Sequence, residues 1–279
     1  MPIPLAVPFV IIIGGPILYA ILWRKIWKYF HGKTICIMGE RFVGKSVIAN
    51  FIQTGLYQEE YNRVNSERKL KVSKKFKDAK IFVKYLYDES GADDQINLWE
   101  IRLKDSDFAM YLFRADLIYG MELKDIIRYF NVDDISLKKK FKQFTIYFGM
   151  YLKDTGFPYE HPDFDINGEQ FEKLSMFYDN YKKRSVRRIR DDFCQINDWI
   201  KKSPKKIVLV GTHADWIPWH EKGSMLKGRD MFDRFKDELL TKVPEISRQM
   251  ANRLVIGGLD GFDETESVVI QALKLLKEN

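Results

Sequence analysis

Short apolar runs alternate along this chain with segments whose apolar residues recur every three or four positions. The strand-like runs cover residues 33–38, 69–76, 79–87, 108–113, 206–210 and 253–256, and helical spacing is found in segments 46–57, 187–202 and 264–277. The second and third runs meet at Lys77-Asp78, as antiparallel neighbours do. The pattern predicts an α/β fold with a doubly wound, mostly parallel six-stranded sheet and with ligands at the carboxyl ends of its strands.

The first part of the chain has a different pattern. Residues 5–23 contain no charged side chain, and a helix of that length roughly spans the hydrocarbon core of a bilayer. Basic and aromatic residues follow in segment 23–33, which favours a cytoplasmic side there. We therefore expect a single-pass membrane protein, with an N-terminal transmembrane helix in an anchor of residues 1–32, the N-terminus outside and residues 33–279 in the cytoplasm. A buried core helix or an interfacial segment is the alternative interpretation.

Composition narrows the choice of partners. Lys and Arg outnumber Asp and Glu by 46 to 39, which gives a formal net charge of +7. A basic balance favours anionic partners such as nucleotides or acidic lipid, and a solvated basic surface explains it equally well. No nucleic-acid-binding motif accompanies the charge, so nucleic acid is not an expected partner. Cys36 and Cys194 fit no disulfide or metal spacing, which indicates a reducing compartment.

A glycine-rich loop follows the first strand-like run. GERFVGKS, residues 39–46, meets the pattern G-x-x-x-x-G-K-[ST] in full. Strand, loop and helix come in the order that a phosphate-binding loop requires, with backbone N–H groups and the helix N-terminus facing the phosphates. Lys45 is expected to neutralise the β- and γ-phosphates and Ser46 to bind Mg²⁺. The predicted nucleotide contacts of this loop are Gly39, Glu40, Arg41, Phe42, Val43, Gly44, Lys45, Ser46 and Val47.

An acidic residue ends the third strand-like run, in the tetrapeptide DESG from Asp88 to Gly91. A carboxylate in that place, beside a phosphate loop, can hold Mg²⁺, usually through water. The glycine three residues later lets a backbone N–H group reach the γ-phosphate. We therefore predict Lys45, Asp88 and Gly91 as catalytic residues, with Ser46 and Asp88 at the metal.

In order and spacing these motifs resemble those of the Ras-like (TRAFAC-type) P-loop GTPase superfamily, over about residues 33–277. GERFVGKS is similar to the first motif of that family and DESG to its third. GTHAD, residues 211–215, resembles the fourth motif in the form that Roc domains carry. The resemblance implies a P-loop GTPase fold that binds GTP or GDP with Mg²⁺ and hydrolyses GTP to GDP.

The resemblance also implies roles for the last two loops. Asp215 would accept hydrogen bonds from the guanine ring N–H and exocyclic amine, while Thr212 braces the loop and His213 stacks its ring beside the nucleotide. GGLD, after the sixth strand-like run, resembles the fifth motif by position, with the N–H groups of Gly258 or Leu259 near the guanine oxygen. An aspartate after a strand is alternatively a helix N-cap.

Two positions depart from the pattern of the family. The second motif is a threonine before the second strand, and no threonine lies between Gly55 and Phe76. Ser66 is the candidate replacement and thus a third predicted metal ligand. The glutamine that orients the attacking water would follow Gly91, where this chain has Ala92. Intrinsic hydrolysis is therefore expected to be slow or to need a partner.

A long segment separates the fourth and fifth strand-like runs, where a minimal GTPase of this class needs one helix. We assign that helix to residues 187–202 and the preceding part, about 115–184, to a helical insertion. Its many aromatic residues predict either a partner-binding or membrane-facing subdomain or a small core of its own. The basic clusters 138–142 and 182–190 predict a solvated face or a contact with acidic lipid headgroups.

The sequence thus predicts a membrane-anchored GTP-binding switch. Binding of Mg²⁺·GTP would order the loops around Ser66 and Asp88, and hydrolysis would release them. A protein effector is expected to bind these loops or the insertion. Two alternatives stay open: a nucleotide-binding scaffold without catalysis, and an ATPase or small-molecule kinase on the same P-loop core, which would show no preference for guanine.

Overall fold

The computed structural model describes residues 32–57, 68–88, 96–130, 135–154, 169–202, 204–217, 220–221, 224–225 and 229–277. The strands are β1 (Lys33–Gly39), β2 (Arg68–Phe76), β3 (Ile81–Asp88), β4 (Phe108–Arg114), β5 (Lys206–Thr212), β6 (His220–Glu221), β7 (Ser224–Met225) and β8 (Leu254–Ile256). The helices are α1 (Lys45–Thr54), α2 (Ile96–Asp105), α3 (Ala115–Tyr119), α4 (Leu123–Phe130), α5 (Ile135–Asp154), α6 (Glu169–Lys202), α7 (Arg229–Lys242), α8 (Arg248–Ala251) and α9 (Phe262–Lys277). A 3-10 turn, Ala214–Trp216, follows β5.

Six of the strands form one sheet in the order β2-β3-β1-β4-β5-β8. β1 pairs in parallel with β3 on one side and with β4 on the other, and the parallel pairing continues through β5 to β8. β2 runs antiparallel to β3. The predicted α/β sheet of six mostly parallel strands is therefore present. β6 and β7 form a separate two-stranded ribbon that the sequence pattern did not predict.

The central strand is buried on both faces, because successive side chains of a strand point to opposite sides of the sheet. In β1, Ile35 and Ile37 pack into the core formed with α1 and α9. Cys36 and Met38 pack into the core formed with α2, α6 and α7. All four side chains are fully buried. This two-sided burial explains why residues 35–38 form an unbroken apolar run.

The order in which consecutive strands are added to the sheet reverses at β1, which has β3 on one side and β4 on the other. In open α/β sheets such a reversal opens a crevice at the carboxyl ends of the strands, and ligands bind there. The glycine-rich loop begins at this point. Asp88 and Thr212, the last residues of β3 and β5, lie at the same edge of the sheet.

The predicted fold class needs a correction, which concerns its transmembrane helix. No helix in the parts of the chain that the structure describes is long and apolar enough to cross a membrane. The long helices α5 and α6 both carry several lysines, and the predicted segment, residues 5–23, lies outside the described residues. The structure gives no support for a single-pass membrane protein, and the fold class is corrected to an α/β sheet with a helical insertion.

Helices α3 to α6 lie between β4 and β5 and include the predicted insertion. α6 is one continuous helix of 34 residues, so it runs without a break through residue 184, where we expected the insertion to end. Aromatic side chains of α4, α5 and α6 form a third core together with Trp216 of the 3-10 turn. Its buried aromatic residues are Phe130, Phe144, Phe148, Tyr151, Phe171, Tyr178 and Trp216. Of the two interpretations of these aromatics, a core of the insertion itself accounts for them.

Phe148→Ala is predicted to lower the free energy of unfolding by about 3–5 kcal/mol. The Phe148 side chain is fully buried and contacts the rings of Phe144 and Tyr178. Ile146, also on α5, is 44% exposed, and Ile146→Ala is the matched control, with an expected cost below about 1 kcal/mol. Urea unfolding followed by circular dichroism measures both costs. Equal costs for the two variants would contradict the assignment of this core.

Candidate nucleotide-binding site

At the two glycines of the glycine-rich loop, a side chain would strain the backbone, and at Gly39 it would also clash with a neighbouring strand. Gly39 has a φ of +134°, and a Cβ atom there would lie 2.1 Å from the carbonyl oxygen of Leu112 in β4. Gly44 has a φ of +81°, and its Cβ atom would lie 2.4 Å from Cδ1 of Leu259. Only glycine adopts such a backbone at no steric cost. The path of the backbone therefore requires both glycines of the pattern.

The side chain of Lys45 is buried beneath this loop. Its Nζ atom donates hydrogen bonds to the carbonyl oxygens of Gly39, at 2.8 Å, and Glu40, at 2.6 Å. Burial lowers the pKa of Lys45 to about 8, and the negative charges of Asp88 and Glu40 oppose that shift. A bound anion would add to these negative charges and favour the protonated ammonium further.

Ser46 and Asp88 connect the first helix to the end of β3. The Oγ atom of Ser46 donates to Oδ2 of Asp88 across 3.2 Å, and Asp88 is 6% exposed. Mg²⁺ is usually bound by one or two carboxylates together with waters and substrate phosphates. No group of three His, Cys, Asp or Glu residues that could hold a metal occurs in the described residues. One hydroxyl and one carboxylate fit a Mg²⁺ ion whose other ligands would be waters and phosphates.

The GTHAD segment turns sharply at the end of β5. Thr212 is buried, and its Oγ1 atom donates to the carbonyl oxygen of Phe113 at 3.1 Å. The Oγ1 atom of Thr212 also lies 2.9 Å from Nδ1 of His213. His213 has a φ of +58°, which leads the chain into the 3-10 turn that contains Asp215. Thr212 therefore ties this segment to β4.

Asp215 faces the GGLD segment. A Cβ atom on Gly258 would lie 2.9 Å from Oδ1 of Asp215, so glycine permits this close approach. The two segments are also joined by backbone hydrogen bonds, from Gly257 to the carbonyl of Gly211 at 3.0 Å and from Ala214 to the carbonyl of Gly257 at 3.4 Å. Both carboxylate oxygens of Asp215 are buried.

Three predicted segments thus meet at the carboxyl end of the sheet. Leu259 of GGLD packs on Gly44 of the glycine-rich loop, and Gly258 lies against Asp215 of GTHAD. The residues between which a nucleotide was predicted to lie are therefore neighbours in space. Their positions along the chain did not require this, because Gly44 and Asp215 belong to opposite halves of the sequence.

The other predicted residues differ in how much of them the structure describes. The side chain of Val43 is buried in the core beneath the loop and that of Val47 packs at the edge of that core, so only their backbone N–H groups could face a phosphate. Arg41 is exposed. Gly91 and Ser66 lie outside the described residues, and their roles stay predictions.

Two side chains of the loop contact the insertion. Glu40 accepts a hydrogen bond from Oγ of Ser185, on α6, at 2.8 Å. Burial raises the pKa of the Glu40 carboxyl, although the hydrogen bond from Ser185 opposes that shift. Phe42 stacks on Tyr147 of α5, with ring centroids 5.6 Å apart. The loop is therefore attached to two helices of the insertion.

A buried arginine beside GTHAD was not predicted from the sequence. Arg114, the last residue of β4, is 1% exposed, and its guanidinium pairs with Asp116. It also donates to the hydroxyl of Tyr181 at 3.2 Å and lies 4.9 Å from the ring centroid of Trp216. A charged pair directly after a buried apolar run, as in FAMYLFRAD, is the sequence signal that points to such a residue.

The ring of His213 is neutral at physiological pH. Burial lowers its pKa to about 4, and the positive charge of Arg114 acts in the same direction, while Asp116 and Asp215 oppose it. His213 therefore offers an uncharged aromatic ring next to Asp215, and not a cation that would neutralise that carboxylate.

A separate cavity of about 830 Å³ lies between α3, α6 and α7. Two of the cations that line it already donate to backbone carbonyls, Lys182 to Met121 at 2.8 Å and Lys242 to Ile118 at 2.7 Å. These lysines stabilise the carboxyl end of α3 and the residues after it. None of the described residues lining the cavity belongs to the glycine-rich loop, so it is distinct from the candidate site.

No protein-family model matches the chain, and a search of curated proteins gave no match. These comparisons supply no relative from which the role of a residue could be transferred. The functional argument therefore rests on the residues and the geometry described above.

The affinity for a nucleotide is predicted to fall as the pH rises through about 8, the pKa of Lys45. Phosphates bind the charged ammonium, so above that pH binding must also protonate Lys45, and the affinity drops by about tenfold between pH 7 and pH 9. Isothermal calorimetry with GDP measures the profile.

Lys45→Arg is the control for this profile, because a guanidinium stays charged over the whole pH range. Its affinity, whatever the absolute value, is expected not to depend on pH in this interval. A flat profile for the unaltered chain would contradict a buried Lys45 that binds phosphate.

Proposed function

We propose that this chain is a GTP-binding protein of the Ras-like P-loop class, which binds Mg²⁺·GTP and hydrolyses it slowly to GDP. The observation that carries the proposal is the meeting of three loops at the carboxyl end of the sheet, with Leu259 on Gly44 and Gly258 against Asp215. This arrangement supports the proposal, because the loop that would bind phosphates and the carboxylate that would bind a base lie at the same edge of the sheet.

The phosphate end of the proposed site is supported by the surroundings of Lys45 and Ser46. The ammonium of Lys45 donates to two neutral carbonyls, and phosphate oxygens would give it stronger, charge-assisted hydrogen bonds. Ser46 would bind Mg²⁺ through Oγ, and Asp88, its present hydrogen-bond partner, would hold a water of the metal. The bound Mg²⁺ would neutralise charge on the β- and γ-phosphates.

The base end of the proposed site depends on Asp215. Two carboxylate oxygens side by side match the two adjacent donors of guanine, its ring N–H and its exocyclic amine. Adenine has an unprotonated ring nitrogen at the corresponding position and offers no such pair of donors. The neutral ring of His213 adds an aromatic surface without a competing positive charge. We therefore propose GTP rather than ATP as the ligand.

Hydrolysis would supply the proposed switch. We propose, on the sequence alone, that Mg²⁺·GTP orders the loops around Ser66 and Asp88–Asp94 and that hydrolysis to GDP releases them. A protein effector would distinguish the two forms through these segments or through the adjoining insertion. Because Ala92 stands where the water-orienting glutamine is expected, the proposed rate is low.

Asp215→Asn in the full chain is predicted to lower the affinity for GTP by at least about tenfold, because a charge-assisted hydrogen bond to the base is lost. The same variant is predicted to gain affinity for xanthosine triphosphate, whose base has an oxygen in place of the exocyclic amine and can accept from the new amide. Competition of GTP, ATP and xanthosine triphosphate for binding in the presence of Mg²⁺ measures both changes.

Asp263→Asn is the matched control for the loss of one negative charge, since Asp263 is exposed at the start of α9. It is expected to bind all three nucleotides like the unaltered chain. Equal affinity of the unaltered chain for GTP and ATP, or unchanged binding by Asp215→Asn, would move the assignment to the ATP-using alternative.

Single-turnover hydrolysis of GTP by the full chain is predicted to be measurable and slow, on the order of 10⁻³ s⁻¹ or below without a partner. Lys45→Met, which removes the buried ammonium, gives the background rate for the same preparation. A rate for the unaltered chain equal to this background would favour the nucleotide-binding scaffold without catalysis, the alternative that Ala92 favours.

A further inference from the structure

A tyrosine of the insertion reaches the proposed nucleotide site. Tyr147, on α5, stacks with Phe42 of the phosphate loop at 5.6 Å and with Trp216 at 5.9 Å between ring centroids. Its ring also meets the ring of His213 edge-on at 6.0 Å. One side chain of the insertion thus contacts both the loop proposed for the phosphates and the loop proposed for the base.

Phe42 has an unusual conformation for a large residue. Its φ is +63°, which a bulky side chain adopts only at an energetic cost. Its ring is large and apolar and nevertheless 36% exposed. Strained residues of this kind persist where the surroundings enforce them, and they cluster at ligand sites. Stacking on Tyr147 holds the ring of Phe42 in place and leaves part of it accessible.

Tyr147 is held in position by its neighbours. Phe144 and Phe148, on the same helix, are buried in the core of the insertion, and the guanidinium of Arg114 lies 5.7 Å from the Tyr147 ring centroid. Burial raises the pKa of the Tyr147 hydroxyl; Arg114 opposes the shift and Asp260 adds to it. The side chain therefore lies within electrostatic range of the GGLD segment as well.

We infer that Tyr147 is a nucleoside-binding residue, which forms together with Phe42 a wall on which the ribose and base of the bound nucleotide pack. The inference rests on the proposed function. A nucleotide with its phosphates at Lys45 and its base at Asp215 must cross the boundary between the two loops that Tyr147 contacts. Flat rings gain affinity by packing on aromatic faces, and such contacts do not require a particular base.

The wall makes the insertion a part of the nucleotide site. A ligand with a nucleoside would contact the insertion, whereas a ligand made of phosphates alone would contact the phosphate loop. Loss of the wall should therefore lower the affinity for a nucleotide and leave the affinity for a phosphate-only ligand unchanged. A general distortion of the phosphate loop would weaken both ligands.

The test compares GDP with inorganic pyrophosphate on the full chain, by calorimetry with Mg²⁺ present. Tyr147→Ala is expected to lower the affinity for GDP by roughly 5- to 100-fold and to change the affinity for pyrophosphate by less than about twofold. Tyr147→Phe keeps the aromatic ring and is expected to recover most of the GDP affinity that Tyr147→Ala loses. If Tyr147→Ala does not fold, Tyr147→Leu replaces it, with the same direction of change because leucine lacks the aromatic face.

Tyr151→Ala is the matched control, because Tyr151 lies one turn further along α5 and its ring stacks on Tyr181 at 4.6 Å within the insertion. It removes a similar ring from the same helix and is expected to leave GDP binding unchanged. Three results would each overturn the inference. Tyr147→Ala could lower the affinities for GDP and pyrophosphate equally, or leave the affinity for GDP unchanged. Tyr151→Ala could lower the affinity for GDP as much as Tyr147→Ala does.

Failure of the proposed function would be recognised separately. It fails if the unaltered chain binds GDP no better than ADP, or if Asp215→Asn leaves the preference for guanine intact. The role of Tyr147 alone fails if that preference exists and depends on Asp215 while GDP affinity is independent of Tyr147.

Discussion

The buried ammonium of Lys45 is the interaction on which the rest of the candidate site depends. A charge removed from water is costly unless polar partners compensate it, and its partners are two carbonyls of the loop itself, those of Gly39 and Glu40. The shape of the loop and the burial of Lys45 therefore maintain each other. Gly39 makes this shape possible, because no side chain fits between it and the carbonyl of Leu112. An arriving phosphate would exchange neutral acceptors for charged ones, which bind an ammonium more strongly.

The insertion is attached to both ends of this site. Ser185 donates to Glu40, and Tyr147 stacks on Phe42, so α6 and α5 each hold one residue of the glycine-rich loop. At the other end, Trp216 follows Asp215 directly and is buried in the core of the insertion. The packing therefore provides a direct physical route between the proposed nucleotide and the outer surface of these helices.

Local pattern predicted the strands and the glycine-rich loop, because each of them requires particular residue types within a short stretch of the chain. Residues 35–38 are apolar since both faces of β1 are covered. Gly39 and Gly44 are needed for the path of the backbone, and the pattern G-x-x-x-x-G-K-[ST] contains both of them. The partners of Glu40 and Phe42 were not predictable in this way. Ser185 lies 145 positions from Glu40, and no periodicity connects residues so far apart.

The helical part of the chain shows the same limit. α6 contains neither glycine nor proline, so nothing in its sequence marks the point where the insertion ends and the sheet-covering helix begins. The charged pair after the apolar run of β4 points to a buried Arg114 with Asp116, but only the fold shows that Tyr181, 67 positions further along the chain, is also its partner. The roles of Ser66 and Gly91 rest on sequence alone.

The central claim is that one nucleotide joins the phosphate loop to Asp215. The most direct measurement is an experimental structure of the full chain with Mg²⁺ and a non-hydrolysable GTP analogue. Our account predicts the guanine ring N–H and amine within hydrogen-bond distance of the Asp215 carboxylate, with Lys45 on the phosphates and Ser46 on the metal. A nucleotide whose base does not engage Asp215, or whose phosphates lie outside the loop from Gly39 to Ser46, would contradict it.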